Sequence, residues 1–253
     1  MAKAKSRKYS SRDISRYRSK YRAAETISII AHQLKNPIAI IRGYLEALIS
    51  GDQGEITLAQ KEYLGDALFN VKEMSKTVDN LIDVSRIDEG KYNINLKLIS
   101  LEETALQVLS ELSQWAQAAN CKIVFRKQKK LPPVLTDPYK IKQVISNLIS
   151  NAIKYNVGRG TVEISVLLKE TNKEVLFSCK DNGIGIPKED YKKVFTKFYR
   201  SEKAMEIDPS GSGLDLYINK AIIELSGGKI WFTKNTKKGM TFNFSLPIAK
   251  SES

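Results

Sequence analysis

His32 is the only histidine in the chain, and it stands five residues before Pro37. A neutral imidazole nitrogen can attack an electrophilic phosphorus centre. Ile30 and Leu34 lie two residues to either side of it, in an apolar seam. Two helical steps carry His32 to the opposite face, which predicts a solvent-exposed imidazole. Pro37 has no N–H, so the carbonyl of Gln33 loses its usual helical partner and the helix should bend there. An exposed imidazole beside a bend is a candidate nucleophile. The plainer alternative is a solvated surface histidine.

A second set of residues suits the binding of a phosphorylated ligand. Asn147 and Asn151 are four apart and share a helical face, with Lys154 three residues on and Tyr155 after it. Amide oxygens suit a hard Mg²⁺ ion, which takes few protein ligands and keeps waters and phosphate oxygens. Two polar residues on a solvated face are the bland alternative. Asp181-Asn182-Gly183-Ile184-Gly185-Ile186-Pro187 follows a strand-like stretch. Its carboxylate can accept a hydrogen bond from an exocyclic amine such as that of adenine, and its glycines let backbone approach a ligand. Gly211-Ser212-Gly213-Leu214 runs into a helical pattern, where backbone N–H groups and the helix dipole can cradle phosphate. Lys188, Lys192, Lys193, Lys197, Arg200 and Lys203 lie between the two glycine clusters.

The elements that must position these residues fall into two groups. Ile27, Ile30, Leu34, Ile38, Ile41, Leu45 and Leu48 recur at steps of three and four, an amphipathic helix broken at Ser50–Gly54. Leu64, Ala67, Val71, Met74, Val78 and Leu81 make a second stripe, which ends at Asp88, Glu89 and Gly90. The pair predicts an antiparallel hairpin with half a core. A second copy would complete a four-helix bundle by two-fold symmetry; packing on the chain's own second half is the alternative.

After residue 90 strands and helices mix. Strands are expected at Asn93–Ile99, Lys122–Lys127, Thr161–Leu168 and Glu174–Lys180, with a final hairpin from Lys229–Thr233 and Met240–Leu246. Helices are expected at Leu101–Ala119, at Pro138–Tyr155 with Asp137 as N-cap, and at Leu214–Leu225 closed by Gly227–Gly228. Residues 182–212 lack sustained periodicity. This order predicts an α+β fold, a mixed sheet covered on one face by helices. The expected division is a basic arm at 1–24, a helical hairpin at 25–90, an α/β domain at 91–249 and a tail at 250–253.

Ala31-His32-Gln33-Leu34-Lys35-Asn36-Pro37-Ile38 resembles the H box of sensor histidine kinases of the two-component type. Asn147–Tyr155 resembles their N box, Asp181–Pro187 their G1 box, Val194-Phe195-Thr196-Lys197-Phe198-Tyr199-Arg200 their F box and Gly211–Leu214 their G2 box. The motifs follow the family's order and cover about residues 25–248. The resemblance implies a dimerisation and phosphotransfer hairpin before an α/β sandwich of Bergerat type, the ATP-binding fold of the GHKL superfamily. It implies an ATP-dependent protein-histidine kinase with ATP and Mg²⁺ as cofactors and His32 as phosphoacceptor. Asn36 matches the position that orients water for dephosphorylating the partner regulator. The nucleotide site would comprise Asn147, Asn151, Lys154, Tyr155, Asp181, Gly183, Gly185, Arg200, Gly211, Ser212, Gly213 and Leu214, with Asn151 on the metal. The implied partners are a second copy of the chain and the receiver domain of a response regulator, whose aspartate takes the phosphoryl group.

Two positions depart from the family's pattern. An acidic residue usually follows the phosphorylated histidine; here it is Gln33, which can hold a hydrogen bond but cannot take a proton. The G2 box usually continues Gly-Leu after its first leucine; here it reads Asp215-Leu216. Asp215 suits a helix first turn but repels a triphosphate. These two residues support an alternative reading, a kinase-impaired phosphatase or scaffold for the regulator. A GHKL ATPase without phosphotransfer is a further alternative, opposed by His32 and Pro37.

Composition bounds the rest. Residues 1–25 carry nine basic residues against Asp13 and Glu25, so they supply +7 of the net +13. Such an arm can meet a membrane surface or an upstream sensor domain, or serve as a solvated linker. No nucleic-acid partner is expected, because no stacking platform accompanies the charge. No apolar run reaches the roughly 18–20 residues that span a bilayer. Cys121 and Cys179 sit in apolar stretches without metal-ligand spacing. A cytoplasmic chain, whole or the inner fragment of a membrane sensor, is expected.

Overall fold

The computed structural model describes residues 11–128, 130–156, 162–171 and 173–249. The first ten residues of the basic arm, Thr161 at the expected start of a strand, and the tail lie outside them. The chain divides into two compact units between Tyr92 and Asn93.

The first unit is a helical hairpin. Helix α1 (Ser11–Ser50) runs unbroken through Pro37, and α2 (Leu58–Asp88) returns alongside it. Gly51 and Gly54 take positive φ in the connecting turn. Thr57 starts α2 with a capping box: its hydroxyl accepts from the Gln60 N–H at 3.2 Å, and the Gln60 carboxamide accepts from the Thr57 N–H at 2.8 Å. The seam between the helices is Ala31 and Ile38 against Val71, Val78 and Ile82, with Leu45 and Leu81 half-buried beside them. On the surface, Lys35 Nζ pairs with Asp79 Oδ1 at 2.7 Å across the two helices.

This seam corrects the expected stripe on α1. Ile30, Leu34, Ile41 and Leu48 remain exposed, as does Met74 on α2. Positions 31, 38 and 45 repeat every seven residues and fill the groove of α2. The sequence contains more apolar positions than one two-helix contact can cover, so the neighbouring stripe is left uncovered.

The second unit is α+β. Strands β2 (Cys121–Lys127), β4 (Val162–Thr171), β5 (Glu174–Lys180), β6 (Lys229–Lys234) and β7 (Met240–Pro247) form a mixed sheet in the order β2-β4-β5-β7-β6. Only the β2–β4 pair is parallel. Helices α3 (Leu101–Ala118), α4 (Pro138–Lys154) and α6 (Asp215–Leu225) pack side by side on it. Two short strands, β1 (Lys97–Ile99) and β3 (Val134–Thr136), pair antiparallel. The strand expected over Asn93–Ile99 is therefore only its last three residues. Its partner β3 was not expected, since three residues carry no readable period.

The core alternates as a half-covered sheet should. On β4 and β5, Val166, Leu168, Val175, Phe177 and Cys179 are buried, while Leu167, Leu176 and Ser178 between them are only half so; on β7 Asn243, Phe244, Ser245 and Leu246 are all buried. The Phe177 and Phe244 rings stack at 4.8 Å. Against them α4 presents Ile141, Val144, Ile145, Leu148, Ile149 and Ala152, one helical face in steps of three and four. Burying each large aliphatic side chain contributes roughly 1.5–3 kcal/mol before entropy is counted. Asp137 caps α4 as expected: Oδ1 accepts from the N–H groups of Tyr139 and Lys140, and Oδ2 from that of Asn95 at 2.9 Å. The irregular stretch after β5 contains a 3-10 turn at Lys188–Asp190 and helix α5 (Glu202–Ile207).

Candidate functional site

In the second unit a cleft of about 960 Å³, part of it open solvent, lies between the C-terminal half of α4, the loop after β5 and the segment leading into α6. Asn151, Lys154, Tyr155, Asp181, Gly185, Arg200, Gly211, Ser212 and Gly213 line it, as does Asp215. With Met240 and Phe242 also in the lining, residues up to 91 positions apart share one cavity.

Asp181 leaves the end of β5 with its carboxylate held by backbone. Oδ1 accepts from the N–H groups of Gly183 at 2.9 Å and Met240 at 3.2 Å. Burial pushes the Asp181 carboxyl up from its ordinary range, and those N–H groups pull it part of the way back. The second carboxylate oxygen is the one that can serve a ligand. Gly183 is buried just behind. A Cβ there would stand 2.4 Å from the Tyr155 carbonyl oxygen, which also accepts from the Ile184 N–H. The glycine is required by that close approach of the loop to the end of α4.

Another part of the cleft wall is built from α4 and the turn into α6. Lys154 ends α4, and its Nζ lies 2.8 Å from Asp208 Oδ2. Gly213 has φ of +69°, and a Cβ on it would meet Phe198 C and the Tyr199 carbonyl oxygen at 2.8 Å. The turn is thereby packed tightly on the F-box segment. Leu214 is fully buried, so it anchors α6 in the core rather than lining the cleft. Helix α6 starts at Asp215, with no side-chain cap from Leu214.

Three expected site residues, Asn147, Gly183 and Leu214, are not part of the cleft lining. Asn147 is outside the cleft lining: it is buried and its Nδ2 donates to Asn219 Oδ1 on α6 at 3.1 Å. One helical turn from Asn151 points it at a neighbouring helix. Gly183 and Leu214 support the lining without forming part of it. Arg200 lines the cleft, but its guanidinium donates to the carbonyls of Ala204, Asp208, Pro209 and Gly211. Two of the segment's lysines are also engaged: Lys193 with Asp190 at 3.2 Å, and Lys197 over the Tyr217 ring at 5.1 Å.

Sequence reasoning missed Asp208 and Asn235. Asn235 Nδ2 donates to the Asp181 carbonyl at 2.6 Å, and its Oδ1 accepts from the Thr241 hydroxyl, so the β6–β7 turn braces the Asp181 loop. Asn in a hairpin turn was readable; its contact 54 residues away was not.

Among the described residues no cluster of three His, Cys, Asp or Glu could hold a metal ion, and no helix is long and apolar enough to cross a membrane. A Mg²⁺ held by one carboxamide and by ligand phosphates needs no such cluster. Asn151, half-buried in the cleft wall, is the donor that fits it.

On the first unit His32 is exposed, as expected. Asn36 is exposed one turn along the same face, and Gln33 is exposed beside it.

The chain thus combines a helical hairpin bearing an exposed histidine with an α+β unit that holds an open cleft. Residues 22–90 match the His Kinase A (phospho-acceptor) domain, and residues 136–250 match the family described as histidine kinase-, DNA gyrase B-, and HSP90-like ATPase. The chain belongs to the sensor histidine kinases, with their dimerisation and GHKL ATPase domains. It is 32% identical over 228 residues to the sensor histidine kinase WalK of Bacillus subtilis (strain 168), covering 90% of this chain and 37% of WalK. It is 27% identical over 225 residues to the circadian input-output histidine kinase CikA of Synechococcus elongatus, covering 88% and 30%. The chain thus spans about a third of these relatives. Among solved structures, full-length ShkA in complex with AMPPNP shares the fold at a TM-score of 0.72 and 20% identity, over 90% of this chain and 47% of that one. The catalytic domain of the histidine kinase ThkA matches at a TM-score of 0.54 and 27% identity, over 61% and 96%.

Proposed function

We propose that this chain is the core of an ATP-dependent histidine kinase that phosphorylates His32 and passes the phosphoryl group to an aspartate of a response regulator. The observation that carries the reading is the cleft, which gathers Asp181, Lys154 and the Gly211–Gly213 turn in a chain whose one histidine is exposed. The free oxygen of Asp181 accepts the adenine amine. Lys154 and the N–H groups entering α6 take the phosphates, and Asn151 holds Mg²⁺. A nitrogen of His32 attacks the γ-phosphorus, the bond to the bridging oxygen breaks, and ADP leaves. Positioning and charge neutralisation supply most of the rate. Gln33 cannot accept the imidazole proton, so water takes it. Asn36, on the His32 face, suits the orientation of water for dephosphorylating the regulator.

The exposed stripe on α1 supports a homodimer through the hairpin. ThkA, 24% identical at a TM-score of 0.58 over 90% of this chain and 63% of that one, was solved in complex with the response regulator protein TrrA. That supports a receiver domain as the partner here. The reaction places the core in the cytoplasm, with the basic arm leading to a membrane surface or upstream sensor domain.

The test is incubation with γ-labelled ATP and Mg²⁺ beside a His32→Ala variant. Acid-labile, alkali-stable label that is absent from the variant is expected. Label persisting in the variant overturns the phosphoacceptor. Folded protein that takes no label but dephosphorylates a regulator would favour the second reading, a kinase-impaired phosphatase, which Gln33 and Asp215 support.

A further inference from the structure

The segment from Arg200 to Gly213 is folded around its own charges. The Arg200 guanidinium is committed to four carbonyls of this segment, at 2.8 Å to Gly211, 2.9 Å to Ala204 and 3.3 Å to Pro209, with Asp208 the fourth. Asp208 is the hub. Its Oδ1 accepts from the Ser210 N–H at 3.2 Å and the Ser210 hydroxyl at 2.7 Å. Its Oδ2 faces Lys154 Nζ at 2.8 Å and an Arg200 nitrogen at 3.9 Å. The Asp208 side chain is only 12% exposed, against 34% for Lys154. Burial works to raise the Asp208 carboxyl, yet the bonds from Lys154 and Ser210 and the neighbouring positive charges hold it below its ordinary range. At Gly211 a Cβ would come within 2.9 Å of Asp208 Oδ2, so the glycine gives this carboxylate its room.

The carboxylate therefore reaches back from the segment onto α4 and engages the ammonium assigned above to nucleotide phosphates. We propose that Asp208 competes with those phosphates for Lys154, and so sets how tightly the chain holds a phosphorylated nucleotide relative to the bare nucleoside. The proposal rests on the nucleotide reading of the cleft. A charge-assisted bond of this length in a partly shielded site is among the stronger polar contacts. A triphosphate entering beside it meets a neutralised lysine and a fixed negative charge; it must displace the carboxylate to gain the ammonium. Adenosine carries no charge and its base is assigned to Asp181, so nucleoside recognition is independent of Asp208. Release of Asp208 would also free its segment from α4 while Arg200 keeps that segment folded.

The test is calorimetric titration of the full chain with ATP and with adenosine, for the parent, D208N, K154M and the double variant. D208N retains an acceptor for Ser210; D208S is run beside it, and native melting is required of each variant used. D208N should bind ATP roughly three- to tenfold more tightly, with adenosine affinity unchanged within about twofold. In the K154M background the substitution at 208 should change ATP affinity by less than about twofold. ATP affinity unchanged or weakened in folded D208N and D208S overturns the proposal. An equal gain in the K154M background also overturns it, since simple charge repulsion would then suffice. A parent that binds neither ATP nor adenosine removes the nucleotide reading itself; a parent that binds both, with no response to D208N, removes only the role of Asp208.

Discussion

Asn147 Nδ2 donates to Asn219 Oδ1 across the buried contact between α4 and α6, at 3.1 Å. Both side chains are shut off from solvent, at 4% and 0% exposure. The bond ties the helix that carries Asn151 and Lys154 to the helix that begins at Asp215. Asn219→Ala leaves the Asn147 amide buried without its partner and should lower unfolding free energy by about 1–3 kcal/mol in a urea titration. The double replacement of both amides by leucine should cost less than the two single leucine changes summed. Additive costs would mean the pair is not coupled.

Asp181 carries a conflict between stability and binding. Because burial raises its folded pKa, the folded state binds the proton more tightly than the unfolded chain does. Folding therefore loses stability as pH rises from the ordinary carboxylate range through the raised value, and the whole penalty is present above it. Asp181→Asn removes the penalty while keeping an acceptor for Gly183 and Met240. The variant should melt higher than the parent at neutral pH, and the difference should shrink as pH falls below the carboxylate range. It should also lose adenosine affinity by at least about tenfold, since a charged acceptor is gone. Equal melting at every pH would contradict the assigned penalty.

Asp215 lines the cleft in the first turn of α6. Replacing it with glycine removes a negative charge from the phosphate end, but also a favourable charge at a helix start and a better helix former. Asp215→Gly should bind ATP more tightly by about 1 kcal/mol, roughly fivefold, and melt lower without nucleotide by about 1 kcal/mol. Calorimetry and thermal melts separate the two effects. ATP affinity equal to the parent's would show that the charge is tolerated.

The hairpin leaves Ile41 at 47% and Ile30 at 51% exposure, on the α1 stripe beside the Ala31–Ile38 seam. In a two-fold dimer each substitution acts twice, so Ile41→Glu should weaken self-association by at least about a hundredfold. Sedimentation across a concentration series measures this. His32 lies roughly 180° around the helix from Ile41, so the variant should stay folded with His32 still exposed. An unchanged dimer would place the interface elsewhere.

Local chemistry was legible in the linear chain. Asp137 before Pro138 marks a helix start because cap and first-turn geometry depend on adjacent residues, and α4 begins there. The alternation along Glu174–Lys180 and the step of three and four along α4 follow from residue spacing alone, and both are present. His32 is exposed as expected but for a different reason: Ile30 and Leu34 are themselves exposed, and the buried seam through Ala31 and Ile38 lies roughly 100–120° around the helix from it. The glycine clusters marked loops that line the cleft.

Tertiary structure decided which of these residues meet. Asn147 and Asn151 share a helical face by spacing, yet the packing of α6 takes the first into the core and leaves the second in the cleft wall. Ile30 and Ile38 share a periodicity, yet the groove of α2 accepts only the heptad through Ala31 and Ile38. Asp208 carried no local signal: its meaning comes from Lys154, 54 residues earlier, and a carboxylate's role depends on which charges the fold brings within hydrogen-bond reach. Residue type and spacing set each side chain's capacity; long-range packing and the desolvation it imposes select the capacity that is used.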